Sequence, residues 1–242
     1  MPEPIPNLPP PVPASPGRQR FAFVPMADGD GPGAALGALL KRPGSLIYQL
    51  HQSGSGRLLV GLAVVTVFCL AFYGGIIGSF SGGHQWWAAP IKTVSGTFLS
   101  ALICIPSLYI FTCLSGAEVR LGPLCGVLLG TLCLNSLLLV GFAPVAWVFS
   151  QSTESVHFMG TLHLMFWAVS MVFALRLLSL LLTFVGTVER NYLRLWFVVF
   201  LLVCLQMTTA LRPFVGTAKT FLPTKKLFFL AHWGEGDNGE TP

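Results

Sequence analysis

Charge is scarce in this chain. Asp, Glu, Lys and Arg together are 10% of its 242 residues, against roughly 25% in soluble domains. A water-exposed globule needs a charged shell, and a mean hydropathy of +0.72 denies it one. An ordinary soluble enzyme and a disordered chain are both excluded. The formal charge of +5 is too dilute for a nucleic-acid reader, which needs a dense basic stripe. The six cysteines, Cys69, Cys104, Cys113, Cys125, Cys133 and Cys204, all fall inside apolar runs. None forms a CxxC pair and no Cys/His set has zinc spacing, so they read as small apolar helix residues. No metal or cofactor site is read. A nucleophile elbow, a phosphate-binding Gly-rich loop and an HExxH pair are missing. Outside the two tails the carboxylates are Glu118, Glu154 and Glu189, with Glu154 on the opposite membrane side from the others. The expectation is a protein that is not an enzyme.

What the chain has in abundance is apolar length. Five runs, Leu58–Phe80, Val94–Leu114, Leu124–Phe149, His157–Phe184 and Leu193–Leu211, reach or approach the ~20 residues that cross a bilayer core as a helix. Lipid offers backbone groups no partner, so runs of this length are helices, and the alternation of a membrane barrel is absent. The expected fold is an all-α membrane protein: a five-transmembrane-helix bundle over residues 57–212, with a disordered Pro-rich N-terminal tail. That tail, residues 1–40, carries eight prolines in its first 20 positions. Such composition favours polyproline II over a packed core, and it lacks the apolar stretch of a signal peptide. Residues 41–56 predict a short amphipathic helix on the membrane surface, with Leu46, Ile47 and Leu50 on one face and Lys41, Arg42 and Arg57 beside it. A linker turn is the other reading. Residues 213–242 predict an interfacial apolar segment, Phe221–Trp233, and a polar tail.

Orientation follows from the basic residues. With the N-terminus cytoplasmic, nine of the 14 Lys and Arg fall on the cytoplasmic side and five opposite, although Lys219, Lys225 and Lys226 in the C-terminal tail pull the other way.

Glycines recur every four residues at Gly74, Gly78 and Gly82, and again at Gly122, Gly126 and Gly130. That spacing keeps them on one helix face, where a neighbouring helix approaches closely. Polar residues inside the runs are few: Asn135, His163 and Arg176 are the candidates for function, because polarity in hydrocarbon is costly. His157 is read at the interface, Arg176 as snorkelling, and Asn135 as bonding a neighbouring helix. After the fifth run, Arg212-Pro213-Phe214 and Gly216 combine a headgroup-binding cation, a helix stop and a tight turn.

Several of these stretches in order resemble the Yip family of Ypt/Rab-interacting membrane proteins, in its bacterial branch. They are Phe72-Tyr73-Gly74-Gly75-Ile76-Ile77-Gly78-Ser79, Ile105-Pro106-Ser107-Leu108-Tyr109-Ile110-Phe111, Gly141-Phe142-Ala143-Pro144 and Leu211-Arg212-Pro213-Phe214-Val215-Gly216. The resemblance covers roughly residues 40–230, and the chain departs from it after Gly216. It implies a five-helix bundle with a cytoplasmic N-terminus, in a bacterial cytoplasmic membrane. Eukaryotic relatives in that family act as membrane-trafficking and membrane-shaping factors that bind small GTPases, while its bacterial chains mostly have no assigned activity.

The leading expectation is a non-enzymatic integral membrane protein that organises partners or the bilayer. Its partners would be membrane lipids and a second protein or another copy of itself, with no nucleic acid. One alternative is a small carrier or channel for an uncharged or lipidic solute, which requires Asn135, His163 and Arg176 to face one cavity. The other is an accessory subunit of a larger complex.

Overall fold

A computed structural model describes residues 32–41, 43–51, 56–81, 85–117, 120–184 and 190–210. They are helical almost throughout. Two short helices, α1 (Pro32–Lys41) and α2 (Pro43–His51), precede five long ones: α3 (Gly56–Ser81), α4 (Gln85–Leu114), α5 (Leu121–Ser152), α6 (Val156–Phe184) and α7 (Arg190–Ala210). All five long helices are apolar and long enough to cross a membrane. At 1.5 Å per residue they run from ~32 Å for α7 to ~48 Å for α5, against a ~30 Å hydrocarbon core, so most must tilt or protrude.

Two boundaries differ from the sequence reading. Residues 32–40, expected in the disordered tail, form α1. Its sequence, PGAALGALLK, is too short to be helical in water by propensity alone, and it is held by packing on α3 and α5. The second helix of the bundle begins at Gln85, well before Val94, and takes in Trp86, Trp87, Pro90 and Lys92. Pro90 does not stop it. Pro90 is the sixth residue, past the four N–H groups that have no helical partner, and it removes one intrahelical bond, as Pro106 does further along the same helix.

The long helices pack in the order α7–α4–α3–α5–α6, and α6 and α7, though consecutive, touch little. The outward faces carry large apolar side chains. Val60, Val64, Val67, Phe68 and Phe72 make one exposed stripe on α3, and Met165, Val169, Val172 and Phe173 another on α6. Inside lie polar groups, among them Thr66, Lys92, Ser100, Thr112, Thr131, Asn135, Ser136, His163 and Ser170. Apolar outside and polar inside is the arrangement lipid selects. Most of the buried hydroxyls bond back to a carbonyl one turn earlier, as Thr66 does to Leu62, Ser100 to Gly96 and Thr131 to Val127, at 2.7–2.9 Å.

The α1–α2 pair does not lie with its apolar face on lipid. Leu39, Leu46, Ile47 and Leu50 are buried in the same core as Leu58 and Leu62 of α3, Leu124 and Val127 of α5, and Leu178 and Leu182 of α6. The reason is a notch on α5. A Cβ on Gly126 would sit 2.5 Å from Leu50 Cδ2, and one on Gly130 would sit 3.3 Å from Leu46 Cδ2. Gly141 lies three turns further along nearly the same face and is bare, with nothing within 4 Å. The pair therefore covers only the Leu121 end of the bundle.

Candidate functional site

The strongest polar constellation joins α3 to α6. Tyr73 Oη and His163 Nδ1 are 2.8 Å apart, buried, with the rings edge-to-face at 5.5 Å. His163 is only 8% exposed, and its Nε2 has no hydrogen-bond partner in the protein. The phenol as donor to Nδ1 leaves one group unmatched, the Nε2–H. The reverse leaves two, the phenol hydrogen and the Nε2 lone pair. Unmade buried bonds cost about 1–3 kcal/mol each, so the first arrangement is favoured and Nε2 is a donor.

Gly74, next to Tyr73, sets this geometry. A Cβ there would lie 2.6 Å from Pro90 Cα and 3.0 Å from Thr93 Oγ1, so α3 and α4 meet backbone to backbone. The close approach brings Lys92 to the depth of the pair: Lys92 and His163 are each seven residues, ~10 Å, from the starts of α4 and α6. Lys92 is buried and has an interaction partner within the protein.

The α5–α6 seam carries two further polar groups. Its register is fixed by Phe142 stacked on Phe166 at 4.8 Å and Phe149 against Phe158 at 5.8 Å. The two helices are antiparallel: Asn135, one heptad before Phe142, lies seventeen residues, ~26 Å, from the end of α5, and Ser170, one turn after Phe166, lies fourteen residues, ~21 Å, from the adjoining start of α6. Asn135 is 2% exposed; its Oδ1 and the Ser170 Oγ have no partner in the protein. The expected bond from Asn135 to a neighbouring helix is thus not made by its carbonyl oxygen.

On the other flank, Trp196 of α7 is fully buried and donates to Ser107 Oγ at 3.0 Å, stacking on Phe200 at 5.0 Å. This pins α7 to α4 beside Pro106.

Arg176 is exposed on α6, with its guanidinium 6.0 Å from the Phe173 ring centre. It does not converge with Asn135 and His163, so the single cavity that a carrier required of those three is not formed by them. Among the six periodic glycines, Gly74, Gly126 and Gly130 sit at close approaches and Gly78 is buried, while Gly122 is exposed and open. Gly82, Arg212, Pro213, Phe214 and Gly216, and the apolar segment after them, lie outside the described residues. Among the described residues no three His, Cys, Asp or Glu side chains come together as a metal site.

Tyr73, Lys92, Ser170 and Trp196 were not singled out from the sequence as candidates. Tyr73, Ser170 and Trp196 are polar groups inside long apolar runs, and that was the available signal, whereas Lys92 precedes the run at Val94 and gave none.

No protein family, no curated protein and no solved structure matches the chain. The likeness to Yip proteins rests on its motifs alone. The fold defines the class: an integral membrane protein of five apolar helices, with two short helices docked at one end.

Proposed function

We propose that this protein organises and shapes the bilayer as a non-enzymatic membrane component. The observation that carries the reading is the one-sided docking of α1 and α2. Gly126 and Gly130 lie five and nine residues into α5, ~8 and ~14 Å from its Leu121 end. About 9 Å of that ~48 Å helix protrudes on each side if it is centred on a ~30 Å core. The docked leucines then sit at the boundary between headgroups and acyl chains, the depth at which interfacial helices act. Among the described residues seven helices crowd this leaflet and five the other, so this part of the protein is broader on one side. An inclusion broader in one leaflet favours membrane that bends toward it. The Lys/Arg bias, nine to five, favours a cytoplasmic place for that side.

The test is sorting by curvature. The full chain is reconstituted into a mixture of small and large vesicles of one lipid composition, and protein density per unit area is measured by single-vesicle fluorescence. Enrichment on small vesicles is expected. Gly130→Phe, which fills the notch and displaces Leu46, is expected to lower it. Equal density of the unaltered protein on all sizes refutes the reading.

A further inference from the structure

The α6–α7 pair holds a cleft of ≈ 200 Å³ lined by Ser179, Leu193, Arg194 and Phe197. Ser179 is five residues, ~8 Å, from the end of α6, and Leu193 to Phe197 lie ~5–10 Å into α7. The cleft is therefore at the headgroup–acyl boundary of the leaflet that also carries α1 and α2. Beyond it the two helices touch little.

Its chemistry is two-part. Leu193 and Phe197 offer apolar wall. Arg194 is exposed, and its recorded hydrogen bond is a long one, 3.5 Å, to Asn191 Oδ1 one turn away. The Ser179 hydroxyl gives its hydrogen to its own helix at Leu175 O, so it lines the cleft without supplying a donor. The first turn of α7, whose N–H groups have no partner within the helix, adds partial positive charge at the same place.

Charge at this end is one-sided. Among the described residues it carries Lys41, Arg57, Arg120, Arg176, Arg190 and Arg194, and the one carboxylate described in the chain, Glu154, is at the opposite end. Glu118 and Glu189 fall in connections outside the described residues, and even with both counted the cations are in threefold excess.

We infer that this cleft is a binding site for an anionic glycerophospholipid. The phosphate sits on Arg194 and the first turn of α7, and an acyl chain runs along Phe197 and Leu193 into the α6–α7 seam. A soluble phosphate would gain nothing from the apolar wall, and a neutral lipid nothing from the arginine beyond its zwitterionic phosphate. The site goes beyond the shaping role and does not depend on it: lipid retention and curvature sorting are separate readouts.

The experiment uses the full chain purified in mild detergent, titrated with dioleoyl phosphatidylglycerol or dioleoyl phosphatidylcholine, with retained lipid counted by native mass spectrometry. Retention of the first phosphatidylglycerol is expected to exceed that of phosphatidylcholine about fivefold, the factor one arginine contributes at an anionic surface. Arg194→Gln is expected to abolish the preference and Arg194→Lys to keep part of it. Leu193→Trp, which fills the cleft, should reduce retention of both lipids. Arg120→Gln removes a cation at the same end but away from the cleft and should leave the preference intact. Equal retention of the two lipids, an unchanged preference in Arg194→Gln, or an equal loss in Arg120→Gln overturns the assignment. The last result would mean diffuse charge attraction in place of a site. Arg194 is exposed, and an unchanged melting temperature of its variants separates lost binding from lost folding.

Discussion

Gly74→Ala should weaken the bundle although alanine is the better helix former. The new methyl would lie 2.6 Å from Pro90 Cα and 3.0 Å from Thr93 Oγ1. Carbon atoms in contact rest ~3.5–4.0 Å apart, so α3 and α4 must separate by about 1 Å along this seam. The atom in the way is backbone and cannot rotate aside. Overpacking of this kind costs about 1–3 kcal/mol, and the backbone clash puts it in the upper part of that range. Against it stands the ~1 kcal/mol by which alanine exceeds glycine in a helix. The net loss is about 1–2 kcal/mol. Gly130→Ala meets the ends of two leucine side chains, Leu46 Cδ2 at 3.3 Å and Leu39 Cδ1 at an ordinary 3.5 Å, and Gly141→Ala meets nothing within 4 Å. There the propensity gain dominates. The expected order of stability is Gly141→Ala, then Gly130→Ala, then the unaltered chain, then Gly74→Ala. Thermal unfolding in mild detergent, followed by the fluorescence of the six tryptophans, reads it directly. Gly74→Ala melting at or above Gly141→Ala would refute the close-approach argument.

Other side chains give independent tests. Tyr73→Phe leaves the buried His163 Nδ1 without its donor and should cost about 1–3 kcal/mol. Adding His163→Leu should recover much of that loss, because removing both partners is cheaper than removing one; a double variant worse than the sum of the singles would contradict it. Asn135→Leu removes a buried carbonyl oxygen that has no partner and should raise the melting temperature; a fall would mean the seam holds a bound polar group. Trp196→Phe keeps the stacking on Phe200 but loses the bond to Ser107, a loss of about 0.5–1.5 kcal/mol that Ser107→Ala should not deepen. Arg176→Gln on the exposed face of α6 should leave unfolding in detergent unchanged.

The spans were legible because lipid makes a single demand, apolar length, and that demand is written locally. All five long helices fall on the predicted runs. Their ends were less legible. Trp86, Trp87 and Lys92 look like a loop, yet the helix runs through them and through Pro90. The glycine repeats pointed to close approach without saying to what. Gly74 meets α4, whereas Gly126 and Gly130 receive leucines from α2. α1 was invisible because its short, Gly-containing sequence is helical only through packing on α3 and α5. The pairing of Tyr73 with His163, or of Trp196 with Ser107, spans about ninety positions and leaves no local trace. His163 could be flagged as costly in hydrocarbon, but its partner could not be named.

The account turns on the docking of α2 against the glycine notch of α5, and cross-linking in native membranes tests it most directly. Leu46→Cys and Gly130→Cys are combined in a chain whose six native cysteines are replaced, with a protease site placed in residues 52–55. After treatment with a short bifunctional maleimide and cleavage, the two fragments should migrate together on a denaturing gel. The same treatment of Leu46→Cys with Gly141→Cys, on the bare part of that face, should leave them apart. Separation of the fragments in the first variant, or joining in both, would contradict a pair of helices seated at one end of the bundle.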